Sequence, residues 1–96
     1  EIVYTIGCHP TETHEFPKAD EILQLAKTRL SDPRFVGIGE IGMDLYHNAD
    51  QKQAQRDVLS KFLDFSSEYK LPVVIHSRDA FQETWEGLQE YKGKAF

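Results

Sequence analysis

Phe35-Val-Gly-Ile-Gly-Glu-Ile-Gly-Met-Asp44 passes from apolar and β-branched residues into glycines and then acids. Its first part, Phe35 to Ile41, reads as a strand. A polar loop, Asp44 to Asp50, follows and leads into the strongest helical pattern of the chain, about residues 51–69. Ala54, Val58, Leu59, Phe62, Leu63 and the Phe65–Tyr69 stretch fall on one stripe at the 3.6-residue period. That stripe is read as core.

The same sequence of strand, turn and helix stands on either side. Upstream, Ile2-Val-Tyr-Thr-Ile6 is a short β-branched and aromatic run, ended by Gly7 and Pro10. A helix follows through Ile22, Leu23, Ala26 and Leu30, with Asp20 as its expected N-cap and Asp32-Pro33 as its stop. Downstream, Pro72-Val-Val-Ile75 is a third strand, entered by a proline that fits only a strand start. A helix with Phe81, Trp85 and Leu88 on one face comes next; Gly93 ends it, and Ala95-Phe96 begins a further strand.

Strands alternating with helices predict an α/β fold of parallel βαβ units with right-handed crossovers. If the strands lie side by side in chain order, all helices fall on one face and the other stays bare. Parallel sheets are normally covered on both faces. A closed (β/α)₈ barrel resolves this by making the bare face its interior, but needs about 250 residues. The chain has 96, so it is expected to be the central portion, about three of eight units, of a single TIM-barrel domain. A small doubly wound sheet with reversed strand order is the alternative.

Composition narrows the function. Eleven Lys and Arg against sixteen Asp and Glu give a net charge of −5, which excludes a basic nucleic-acid clamp built on many phosphate contacts. It leaves room for a nucleic-acid enzyme whose positive charge is a metal. One cysteine, Cys8, excludes an internal disulfide and permits a reducing, cytoplasmic location. No apolar run approaches the roughly 18 residues of a membrane span, so no membrane partner is expected. The absence of an initial Met and of a leader pattern reads as an excerpt.

Each strand pattern ends in a chemically capable residue: His9 after the first, Glu40 in the second, His76 after the third. Alternation places Val36, Ile38 and Glu40 on one face, and Pro72, Val74 and His76 on one face. Neighbouring strands lie about 4.8 Å apart, so a carboxylate and an imidazole at adjacent strand ends can share one divalent ion at about 2.0–2.2 Å. A lone strand-end His or Glu is most often a solvated loop residue. Three unlike donors at the carboxyl edge of a parallel sheet, where active sites of such folds lie, carry the functional reading.

Gly37-Ile-Gly-Glu-Ile-Gly42 also fits G-x-G-x-x-G. Its first glycines lie within the strand pattern and the helix begins about nine residues later, so no helix N-terminus meets a pyrophosphate there. No nicotinamide cofactor is expected; the glycines read as places where a helix or a ligand approaches the backbone. Cys8 reads as a buried hydrophobe, and Glu12, His14 and His47 as loop residues. Arg78 and Asp79 are divided evenly between binding phosphate or orienting His76 and capping the next helix.

Gly7-Cys-His-Pro10, Val36-Gly-Ile-Gly-Glu-Ile-Gly-Met-Asp44 and Leu71-Pro-Val-Val-Ile-His-Ser-Arg-Asp-Ala80, in this order and spacing, resemble successive signatures of the TatD-type metal-dependent deoxyribonucleases. Met43 stands where leucine is usual. The resemblance implies a TIM-barrel hydrolase with one or two divalent ions, Mg, Mn or Zn, at its C-terminal face. It implies metal-ligand and catalytic roles for Glu40 and His76 and a place near the substrate for His9; Arg78 is a substrate-binding candidate from its position directly after the His76 strand end. The implied substrate is DNA, with a metal that activates water and stabilises the anionic oxygens of in-line displacement; little in the chain could grip a duplex, so single strands or ends are expected. The family also uses a His-x-His pair on its first strand, a later histidine and a late aspartate; these are not in this chain, so the isolated chain is expected to be inactive. A related metallohydrolase of small esters, amides or aminoacyl groups, or a non-catalytic α/β binding module, are the alternatives. Oligomeric state is not legible.

Overall fold

The computed structural model describes residues 2–91. Three strands, β1 (Tyr4–Ile6), β2 (Phe35–Asp44) and β3 (Val73–Arg78), alternate with three helices, α1 (Ala19–Thr28), α2 (Lys52–Tyr69) and α3 (Phe81–Gln89). The strands pair in parallel in the order β1-β2-β3. Chain order is kept, so the reversed order of a doubly wound sheet is excluded for these strands. Gly93 and Ala95-Phe96, read as a helix stop and a strand start, lie outside the described residues.

The core sits between the sheet and α2. Val58, Leu59, Phe62, Leu63 and Phe65 of α2 are buried, as their 3.6-residue spacing requires, and meet Phe35, Ile38, Ile41 and Met43 of β2. The long helix ends at Lys70, whose backbone is left-handed (φ 55°). Its amide donates to the Ser66 carbonyl, as does that of Leu71 at 3.0 Å, closing the C-terminus on itself.

Strand alternation fails at two points of β2. Tyr4 pairs with Phe35 but Thr5 pairs with Gly37, and Gly39 pairs with Val74 but Ile41 with Ile75. Val36 and Glu40 are therefore extra residues at two irregularities of β2, each of which resets the side-chain phase. Ile38 is fully buried with the helix-side core, whereas Val36 is 41% exposed. The expectation that Val36, Ile38 and Glu40 share a face is thus corrected for Ile38. Pro72 and Val74 are exposed and His76 half-buried, while Val73 and Ile75 pack on the core, as simple alternation predicts.

The glycines of β2 admit the neighbouring strand, not a helix. A Cβ on Gly39 would press into the Val74 side chain, and one on Gly42 (φ +146°) would collide with the His76 carbonyl oxygen. Gly42 therefore sets how closely β3 and its histidine lie against β2.

Helix starts differ from their sequence signals. Asp20 lies in the first turn of α1 without capping it and bonds Lys61 at 3.1 Å; Lys18 holds the cap position after a 3₁₀ turn, Thr13–Lys18. α1 ends at Thr28, so Leu30 lies beyond it. At α3, Ala80 is the cap residue, and neither Arg78 nor Asp79 caps through its side chain. Phe81 and Trp85 are exposed, their rings stacked 6.5 Å apart.

Candidate metal centre

The three strand ends converge. β1 passes through Gly7 and buried Cys8 to His9, β2 presents Glu40 at its second irregularity, and β3 presents His76. Nε2 of His9 lies 3.2 Å from Oε1 of Glu40, and Nδ1 of His76 lies 3.7 Å from the same oxygen. The two imidazole rings are 4.4 Å apart, and one donor atom from each of the three residues falls within 4.8 Å of the others. Bonds of about 2.0–2.2 Å allow two ligands of one ion to stand up to roughly 4.2 Å apart. A carboxylate oxygen and an imidazole nitrogen at 3.7 Å fit that limit, and this donor pair suits a divalent cation.

Behind His76 stands Asp44, the last residue of β2 and fully buried. Its Oδ2 accepts from Nε2 of His76 at 3.0 Å. Its Oδ1 accepts the backbone N–H groups of Tyr46 at 3.0 Å and His47 at 2.8 Å, and Nδ1 of His47 lies 3.2 Å from Oδ2. Burial pushes the carboxyl up, but the hydrogen bonds from the His47 amide, His76 and the His47 ring outweigh it and hold Asp44 well below the usual carboxylate range. A permanent carboxylate on Nε2–H fixes the tautomer of His76 and leaves Nδ1 as the lone pair facing Glu40.

Gln55 of α2 anchors this carboxylate from below. It too is buried; its Oε1 accepts the Asp44 amide at 2.6 Å, and its Nε2 donates to the carbonyls of Asp44 at 3.0 Å and Asn48 at 2.8 Å. The turn between strand and helix is thereby pinned to the first turns of α2.

His9 has the opposite wiring. Its Nδ1 accepts the Thr11 amide at 3.1 Å and lies 2.8 Å from the Thr11 hydroxyl. A nitrogen that accepts an amide proton carries none, so neutral His9 holds its proton on Nε2, directed at Glu40 Oε1. In this arrangement His9 donates a hydrogen bond into the site, and the lone pairs offered to a cation are those of Glu40 and His76.

Of the residues singled out in the sequence, His9, Glu40 and His76 come together directly. Arg78 lies at the end of β3, exposed, its guanidinium 3.8 Å above the ring of Tyr46. His14 faces Glu12 at 3.5 Å, both exposed. Cys8 is 2% exposed, and burial followed by the charges of Glu15 and Glu12 pushes its thiol up to about 11, which agrees with a buried hydrophobe. Sequence alone leaves Asp44, His47 and Gln55 outside the site. The available signal was an acid ending the same strand pattern as Glu40, at the edge where the other two donors stand.

A model of the family described as TatD related DNase matches residues 1–96. An "Uncharacterized metal-dependent hydrolase" of Buchnera aphidicola subsp. Baizongia pistaciae is 33% identical over 94 residues, covering 97% of this chain and 34% of that protein. The "Uncharacterized metal-dependent hydrolase YabD" of Bacillus subtilis is 30% identical, covering 98% of this chain and 36% of that protein. The "3'-5' ssDNA/RNA exonuclease TatD" of Enterobacter lignolyticus is 35% identical over 78 residues, covering 81% of this chain and 29% of that protein. The chain thus spans about a third of the length of these curated relatives.

Proposed function

Because this chain belongs to the TatD related DNase family of metal-dependent TIM-barrel hydrolases, we propose that the complete protein cleaves phosphodiester bonds in DNA, as single strands or at ends. The relative named as an exonuclease of single-stranded DNA and RNA supports nucleic acid as the substrate class. The chain supplies the central portion of the barrel, and the remaining strands supply the other ligands. A cytoplasmic location belongs to this reading; among the described residues, no helix is long and apolar enough to cross a membrane.

One observation carries the proposal: Glu40 Oε1 stands between His9 Nε2 and His76 Nδ1 at the carboxyl ends of adjacent parallel strands. Glu40 and His76 would hold a divalent ion, Mg, Mn or Zn, with Asp44 keeping His76 in its ligating tautomer. Such an ion supplies the positive charge that activates water and stabilises anionic oxygens. His9 orients Glu40 through its Nε2–H and offers the same proton to an anionic oxygen of substrate. In an acidic chain, this concentrates attraction for a polyanion at one point.

The test is hydrolysis of a single-stranded oligonucleotide by the complete protein, with each divalent ion and with chelator. Glu40→Gln and His76→Ala should each cost more than the roughly 10–100-fold typical of removing a group behind a ligand. Unchanged activity in both variants overturns the site. Hydrolysis of small esters or amides with no cleavage of DNA would favour a related metallohydrolase instead. The isolated chain is expected to be inactive, since two protein ligands leave a divalent ion largely solvated.

A further inference from the structure

At the same sheet edge, Arg78 and Tyr46 form a contact that the metal centre does not use. Arg78 is paired in register with Asp44, two residues beyond His76. Its carbonyl accepts the Leu45 amide at 2.9 Å, which ties the turn carrying Tyr46 to β3. The Tyr46 amide is held by Asp44, and its ring, 59% exposed, meets His47 edge-on at 4.8 Å. The Arg78 guanidinium lies on that ring, and no carboxylate among the described residues is within ion-pairing distance of it. Both side chains are exposed.

In a chain of net charge −5, this exposed guanidinium is a positive group that no carboxylate among the described residues engages, so it is available to an anionic ligand. Its planar face, supported from below by an aromatic ring, is the surface on which nucleobases stack, and its edge N–H groups match phosphate oxygens. A lysine would provide the charge without the plane.

We propose that Tyr46 and Arg78 form a nucleobase subsite beside the metal centre. A base next to the scissile phosphate stacks on the outer face of Arg78, which Tyr46 holds flat, while the guanidinium edge binds a neighbouring phosphate. The inference rests on the proposed action on nucleic acid and deepens it: the site selects unpaired bases, because only an unstacked base can lie on the guanidinium.

The test uses the complete protein with its divalent ion and two oligodeoxynucleotides, one intact and one with abasic residues at the cleaved end. The wild type should prefer the intact strand in kcat/KM by roughly 5- to 100-fold, the range of one stacked base. Tyr46→Leu and Arg78→Lys should reduce the preference to under about 3-fold by slowing the intact strand alone, whereas Tyr46→Phe should retain it. A Tyr46→Leu or Arg78→Lys variant that slows both strands equally, or leaves the preference intact, overturns the subsite. Binding of both strands, read by anisotropy, separates this from the underlying function. Base-dependent binding without cleavage leaves the subsite standing and removes the nuclease, whereas equal binding of both strands removes the subsite whatever the activity.

Discussion

The carboxylate of Asp44 and the imidazole of His76 meet at 3.0 Å through Nε2, so that Nδ1 of His76 is the nitrogen turned towards Glu40. The pair joins the ends of two neighbouring strands. One partner is fully buried and the other half-exposed, so the fixed carboxylate sets both the rotation and the tautomer of a ring that faces outward. Asp44 is a positioning residue.

Asp44→Asn should therefore weaken divalent-ion binding by the complete protein roughly 10-fold or more, since the amide keeps the shape but loses the charge that favours Nε2–H. A metal titration followed by calorimetry reads this directly. Circular dichroism should be unchanged, and an unaltered affinity would remove Asp44 from the site.

His9→Ala should behave differently from His76→Ala. The Thr11 amide occupies Nδ1 of His9, so removing the ring should lower turnover while leaving metal affinity within about 3-fold, the low end of the roughly 0.5–1.5 kcal/mol of one net hydrogen bond. If His9→Ala releases the ion as readily as His76→Ala does, His9 is a ligand and the Thr11 bond is broken on loading.

Gln55→Leu should destabilise the fold by about 2–4 kcal/mol. It strands the amide and the carbonyl of Asp44 in a buried turn, each unsatisfied group costing about 1–3 kcal/mol, while the Asn48 carbonyl keeps the Gln51 amide at 3.0 Å. Thermal denaturation checks this, and a melting temperature equal to wild type would mean that water replaces the amide.

The connection after α1 should impart acid sensitivity. The Arg34 amide, the Tyr4 hydroxyl and the Arg34 side chain hold the Asp32 carboxyl down to about 2. The favoured form is the ionised one, so its stabilisation is complete above the unfolded value of about 3.9 and fades as pH falls towards 2. Asp32→Asn should therefore be less stable than wild type at pH 6, with the difference closing by pH 2. A difference independent of pH would exclude this linkage.

The strand–helix order was readable because hydrophobic periodicity changes from two to 3.6 at each turn, as between Ile41 and Val58. Convergence of His9, Glu40 and His76 at one edge followed from parallel strands in chain order. The facing of Ile38 was not readable. The irregularities at Val36 and Glu40 change the strand's phase through backbone register, and a register shift carries no side-chain signature beyond the glycines around it. The support from Asp44 and Gln55 was hidden for another reason. A polar residue at the end of a strand or in a helix looks solvated until packing closes over it, and Gln55 lies beside a stripe that reads as wholly apolar.

Cys8 stands between the end of β1 and His9, with its sulfur shut in and its proton firmly held. As the only thiol of the chain, it is a native chemical clock: alkylating reagents can reach it only while the β1 end is open, so their rate of capture times the breathing of the segment that carries His9.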